Sequence, residues 1–178
     1  MAEKLIDAFP QIERISNKDL KTKVIDCWME ALKQGGWEVE DLEEIPFTLL
    51  ITDAPVSLGA HTRNVTDCSI ALGEVMAKGY KGILDINFDL LIAGAILHDV
   101  AKVLEYRREG GAFKVTDHGR ILRHPISGCA LAAKMGLPES VQHIIAVHSR
   151  EGDGGHRTAE AYIIHHADFV NYHPLKDR

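Results

Sequence analysis

Six side chains able to hold a cation stand at unusual places along this chain. His98 and Asp99 form a doublet inside NFDLLIAGAILHDVAKVLE, a run that is apolar almost all round until His98. Asp168 and His165 share a helical face with Ala161 and Ile164, at spacings of three, four and seven. His148 lies four past Ile144 and seven past Val141, on an apolar face, whereas His143 points elsewhere. His61 leads a stripe that includes Val65, and His124 precedes Pro125 at a helix entrance. A carboxylate on an apolar face is costly unless it is paired or bound to metal. A pair of cations would satisfy Asp99, Asp168 and the four imidazoles of His61, His98, His124 and His148 together. Imidazole and carboxylate ligands without thiolate suit iron, manganese, cobalt, nickel or zinc in open, higher-coordinate sites.

The intervals between His61, His98, His124, His148 and Asp168 are 37, 26, 24 and 20 residues. They are too long for one local motif. They fit a bundle in which each helix contributes one ligand to a shared interior site. A single histidine on an apolar face is usually a hydrogen-bonded core residue, and one His-Asp dipeptide arises readily by chance. The ordered set is what separates this chain from that plainer case.

The elements needed to position these groups are mostly helical. Asn17 is the expected N-cap of a helix over residues 17–34, with Leu20, Val24, Cys27, Trp28 and Ala31 as its stripe and Gly35-Gly36 as its stop. A short helix over 39–45 ends at Pro46, and residues 53–59 read as a loop. A long helix from Gly59 to Lys78 takes Val65, Cys68, Leu72, Val75 and Met76 as its apolar face. The segment from Phe88 to Glu105 reads as one central buried helix capped by Asn87 or Asp89. Residues 106–117 read as a glycine-turned hairpin or lid, and further helices cover 124–134, 138–149 and 158–171. The fold class expected is all-α: a helical bundle with a small hairpin or lid insertion.

Composition sets the outer bounds. The chain has 178 residues, 46% of them hydrophobic and 26% charged, which are values of an ordinary globular domain. A net charge of −6 argues against broad binding to long nucleic acid or to a membrane surface. Cys27, Cys68 and Cys129 are an odd, dispersed set with no CxxC, so a disulfide framework or thiolate zinc site is not expected. The opening MAEKLIDAFPQIER carries no apolar signal-like stretch, and a cytoplasmic location is the expectation.

The stretches HTRNV, AGAILHDVAK, HPISG, AVHS and HHAD, taken in this order, resemble the HD-domain superfamily of metal-dependent phosphohydrolases. The resemblance runs from His61 to Asp168 and leaves residues 1–50 uncovered. It implies a helical bundle over residues 56–178 holding the metals, with 1–55 as an N-terminal helical extension packed on it. It further implies that His61, His98, Asp99 and Asp168 hold a first metal, and that Asp99 bridges to a second held by His124 and His148. Lys102 stands where relatives with an HD-x-x-K pattern place a phosphate-contacting lysine, and Arg150 is a second candidate for the phosphate. Asp99, Asp168 and Lys102 are then the expected catalytic set, with Lys102 and Arg150 binding substrate.

The activity so implied is hydrolysis of a small phosphoester, a nucleotide by preference, by a metal-activated hydroxide attacking phosphorus. Two divalent transition-metal ions are the expected cofactors, and the assembly admits a homodimer. Two other classes stay open: a mixed-valent di-iron oxygenase of the same superfamily, and a sensor that binds a nucleotide without turning it over. The hairpin at 106–117 and the loop at 149–157 are expected to form the mouth of the site, with glycines 110, 111, 152, 154 and 155 giving them mobility.

Overall fold

The computed structural model describes residues 2–177. Local signals set most helix ends. Helix α1 (Ala2–Ala8) and a 3-10 turn over Pro10–Arg14 lead into α2 (Lys18–Gly35). The Asn17 side chain accepts from Leu20 N to cap α2, and Gly36 ends it at φ 73°, a left-handed conformation that favours glycine. A second 3-10 turn, Val39–Glu43, replaces the short α-helix expected there. Ser57 caps α3 (Leu58–Gly79), and Asn87 caps α4 (Phe88–Leu97).

The segment 88–105 is not one helix. Residues 98–101 leave the α-helical pattern before α5 (Lys102–Glu105) begins. Here Val100 N bonds to Leu97 O and Lys102 N to Asp99 O, so the chain tightens into three-residue turns at the His-Asp doublet. Strands β1 (Tyr106–Glu109) and β2 (Ala112–Val115) form the expected hairpin. Gly110 and Gly111 both take positive φ, as a two-residue type I′ turn requires. A short helix α6 (Asp117–Ile121) follows, then α7 (His124–Lys134), α8 (Glu139–Val147) and α9 (Ala159–Lys176). Helix α9 runs past the expected end at 171 and takes Pro174 into its last turn.

The fold class is all-α with one small hairpin, as expected. Helix α4 lies at the centre, packed by α2, α3, α8 and α9. It tolerates this because it is apolar around its circumference and because Gly94 leaves room for Ile144 and Ile164. The main core joins α4 to the N-terminal segment, with Leu5, Phe9, Ile12 and Ile15 packed in the same cluster as Ile92, Ile96 and Val100. A smaller cluster joins Leu91 and Ala95 to Ile144, Ala161 and Ile164. No helix among the described residues is long and apolar enough to cross a membrane.

The apolar face expected for α3 is corrected. Leu72 is 40% and Val75 68% exposed, whereas Thr62, Thr66, Ser69 and Gly73 are buried beside His61 and Val65. Small residues win that face because α3 packs tightly: a Cβ at Gly73 would lie 2.7 Å from Leu91. Thr66 satisfies its buried hydroxyl by donating to Thr62 O, so its polarity is tolerated.

Asp89 ties the two halves of the helical frame. Its carboxylate accepts from Ser16 N at 2.7 Å, Ser16 Oγ at 2.8 Å and Asn17 N at 2.9 Å, which joins the start of α4 to the start of α2. Desolvation works against the charged carboxylate, but these hydrogen bonds and the Lys21 cation outweigh it and hold its pKa below the ordinary value. A depressed folded pKa contributes stability above the unfolded value that is lost as pH falls through the folded one. Asp89→Asn should therefore cost about 1 kcal/mol near neutrality. In urea melts the gap from wild type should shrink below about pH 4; a gap independent of pH would overturn the assignment.

Candidate metal centre

The break after α4 places two adjacent side chains into one interior space. His98 donates from Nδ1 to Ala95 O at 2.7 Å, which fixes its Nε2 as the inward atom. His148, at the end of α8, does the same with Ile145 O at 2.7 Å. His61 comes from the first turn of α3, His124 from the first position of α7, and Asp168 from the middle of α9. The structure thus brings together all six expected cation-holding residues from five places in the chain, His98 and Asp99 sharing one turn.

Asp99 organises them. Its Oδ2 lies 3.2 Å from His98 Nε2 and 3.5 Å from His61 Nε2. Its Oδ1 lies 3.2 Å from His124 Nε2 and 3.6 Å from His148 Nε2. Asp168 Oδ1 joins the first group, 3.0 Å from His61 Nε2 and 4.0 Å from His98 Nε2. Two triplets, His61-His98-Asp99 and Asp99-His124-His148, each have ligand atoms within 4.8 Å of one another, and Asp99 belongs to both.

The donor atoms fit a cation better than they fit one another. His98 Nε2 and His148 Nε2 are buried and have no hydrogen-bond partner. Their Nδ1 protons are spent on carbonyls, so each presents a lone pair inward. A buried lone pair without a donor is costly, and a divalent ion at each triplet would relieve the two. The chemistry of the set, neutral imidazoles with carboxylate and no sulfur, is that of a divalent transition-metal site.

Burial alone would raise the pKa of Asp99. The Lys102 ammonium, the largest of the opposing influences, overcomes this and holds the carboxyl well below its usual range. Asp168 is likewise lowered against its desolvation, chiefly by the hydrogen bond with His61. Burial pushes His61 and His124 down, toward the neutral form that a ligand needs, whereas at His98 the same burial is outweighed by the Asp99 and Asp168 carboxylates and the pKa is raised.

Lys102 is not a solvated surface lysine. It is buried, with Nζ 2.7 Å from Asp99 Oδ2, and it donates to Phe47 O. Burial would lower its pKa, but Asp99 above all raises it, so the amine is a fixed cation. Arg150 stands exposed at the lip of a cleft of about 620 Å³ whose floor includes Asp99, Lys102, His124 and Asp168.

The cleft walls differ from expectation. Of the hairpin only the roots, Tyr106 and Val115, reach it, and Ser149, Arg150 and Glu151 represent the 149–157 loop. The hairpin tip is drawn away because Phe113 stacks on Trp37 at 6.0 Å and Arg108 pairs with Glu44. The mouth is built instead by residues 47–50, by Gly119, Arg120 and Arg123, and by Phe169, Tyr172 and Lys176 of α9. Asp168, Tyr172 and Lys176 follow at intervals of four on one helix face. That signal was in the sequence, but a helix stopped at 171 hides it. His165, expected beside Asp168, turns to donate from Nδ1 to His148 O at 2.7 Å and braces the backbone there.

Glu105 was also missed. It is buried, and its Oε2 accepts from His124 Nδ1 at 2.6 Å while Oε1 pairs with Arg123 Nε at 2.8 Å. It stands six past Asp99 and three past Lys102, a spacing that could have marked it.

The HD domain family model matches residues 58–171 of the chain. The chain is also 30% identical, over 168 residues, to the dihydroneopterin 2′,3′-cyclic phosphate phosphodiesterase of Methanocaldococcus jannaschii. That match covers 88% of this chain and 64% of the relative, so the chain spans somewhat less than two thirds of the relative's length. No solved structure gave a significant match.

Were the two triplets to hold cations that share Asp99, Asp99→Ala should empty both. Asp168→Ala should weaken only the position facing His61 and His98. Metal counting by mass spectrometry after manganese or cobalt loading and gel filtration checks this. Full metal in Asp99→Ala would exclude the arrangement.

Proposed function

The chain belongs to the HD-domain family, and we propose that it is a metal-dependent phosphodiesterase that hydrolyses a small phosphoester, a nucleotide or a cyclic phosphate of similar size. The single observation that supports this best is the division of the Asp99 oxygens between two imidazole pairs at the floor of a cation-rimmed cleft. His61, His98, Asp99 and Asp168 would hold one divalent ion, and Asp99, His124 and His148 a second. Bound there, such ions would lower the pKa of a water and take up charge developing on phosphoryl oxygens.

The residues of the chain supply the rest. Lys102 stands at the floor with its charge fixed by Asp99, and it offers a cation to a phosphoryl oxygen. Arg150, Arg123 and Arg120 rim the same cleft, and Lys176 adds a further positive charge. Asp168 and Asp99 stand at the floor as carboxylates able to accept a proton from water. Phe47, Tyr106, Phe169 and Tyr172 give the cleft an aromatic side suited to a planar ring. The volume is that of a small-molecule site rather than a polymer groove. The relative's named substrate is a cyclic phosphodiester, and cleavage of such an ester adds one water across a P–O bond, leaving a monoester and a free hydroxyl.

The test uses protein stripped by chelator and reloaded with manganese, iron, cobalt, nickel or zinc. Hydrolysis of 2′,3′-cyclic AMP and of a broader phosphoester panel is followed under argon. Turnover that returns with metal and needs no oxygen is the expected result. Lys102→Met should lower kcat/KM by about 10²-fold. Oxygen consumption coupled to turnover would point to the oxygenase class instead. Tight nucleotide binding without turnover under every metal would leave a sensor.

A further inference from the structure

The two triplets are unequally supplied with charge. On the His61-His98 side, Asp99 is joined by a second carboxylate, Asp168. On the other side, Asp99 is shared and the remaining ligand atoms belong to two histidines. A divalent ion placed there would meet one shared negative charge. Glu105 lies directly behind that side. Its Oε2 accepts from His124 Nδ1 at 2.6 Å, which turns Nε2 toward Asp99 Oδ1 at 3.2 Å.

This support is particular to His124. His98 and His148 rest their Nδ1 protons on carbonyls of their own helices, three residues back. His124 opens α7 and has no such carbonyl behind it in its own helix, so a side chain must supply the acceptor. Glu105 is held for this from two directions. Arg123 Nε pairs with its other oxygen at 2.8 Å. Gly119 lets α6 close upon it, since a Cβ at that position would lie 2.5 Å from Glu105 Cγ.

We propose that Glu105 is a positioning residue for the cation position formed by Asp99, His124 and His148, fixing the His124 tautomer and supplying, through that imidazole, the charge the triplet lacks. The inference rests on the two-cation reading given above. A hydrogen-bonded carboxylate makes an imidazole a stronger donor to metal, and removing one typically weakens binding 10- to 100-fold.

The experiment measures stepwise cobalt affinity by chelator competition, with metal counts and cobalt absorption spectra as readouts independent of turnover. Wild type is expected to take two ions per chain. In Glu105→Gln, which keeps an acceptor and removes the charge, one ion should bind as in wild type and the other about 10- to 100-fold more weakly. Glu105→Ala should lose more, because orientation goes as well. Arg123→Ala, at a half-exposed residue, loosens Glu105 without touching the triplet and should weaken the same ion in the same direction, which keeps the test available should the Glu105 variants fail to fold. Two unchanged affinities in Glu105→Gln and Glu105→Ala, or in Arg123→Ala where those do not fold, would overturn the proposal. So would equal losses at both positions, which would mark a general structural role. A wild-type count of one would retract the two-cation reading itself, and Glu105's role with it.

Discussion

A single buried carboxylate constrains this molecule more than any other group. Asp99 is 1% exposed, and taking an ionised carboxylate out of water costs several kcal/mol unless charge and hydrogen bonds replace the lost hydration. One lysine faces it, and four imidazoles stand about its two oxygens. An apolar isostere would pack there at lower cost. The sequence instead retains the charge, surrounds it with lone pairs, and recruits α3, α4, α7, α8 and α9 to do so. Such an arrangement is poor as a stabilising device and well suited to holding cations.

The helical frame serves that arrangement through close approach. Had α4 continued through residues 98–101, the tight turns that set His98 and Asp99 beside the other candidate ligands would be absent. The turn costs regular hydrogen bonding, and the two i−3 backbone bonds recover part of it. Glycines at two contacts let neighbouring helices come near enough: Gly94 beneath Ile144 and Ile164, and Gly128 against Ile145, Ala101 and Val100. Alanine at either would meet a neighbouring methyl group at under 3 Å. The distances among the candidate ligands therefore depend on helix packing at these glycines.

That distinction explains what the sequence disclosed. The six candidate ligands were legible because each is polar on an apolar helix face or, like His124, stands at a helix entrance. The same logic failed on α3, where the buried face is Thr62, Thr66, Ser69 and Gly73, and where Leu72 and Val75 point to water. Close helix contact selects small side chains, so hydrophobicity misidentified the inner face. Glu105 was hidden because it looked like the polar end of a helix, and its partner His124 lies 19 residues on. Tyr172 and Lys176 were hidden by the expectation that α9 ends at 171, and residues 47–50 by having no periodicity at all. Lys102 and Arg150 were identifiable only through the pattern around them; their surroundings, one buried and one exposed, are set by tertiary packing.

The cleft also joins two parts of the chain, one inside the family match and one before it. The family match begins at residue 58, yet Phe47 packs its ring 4.7 Å from the His61 ring and gives its carbonyl to Lys102. Farther back, Glu43 pairs with Arg63 through both oxygens, and Trp28 donates to Ile96 O. The N-terminal segment is thus fixed to the centre by these directed contacts as well as by the shared apolar core, while Thr48, Leu49 and Leu50 face the cleft. The link from this segment to Lys102, and through it to Asp99, runs by way of the backbone carbonyl of Phe47. The candidate cation-holding residues thus lie within the family match, while part of the cleft wall comes from the segment before it.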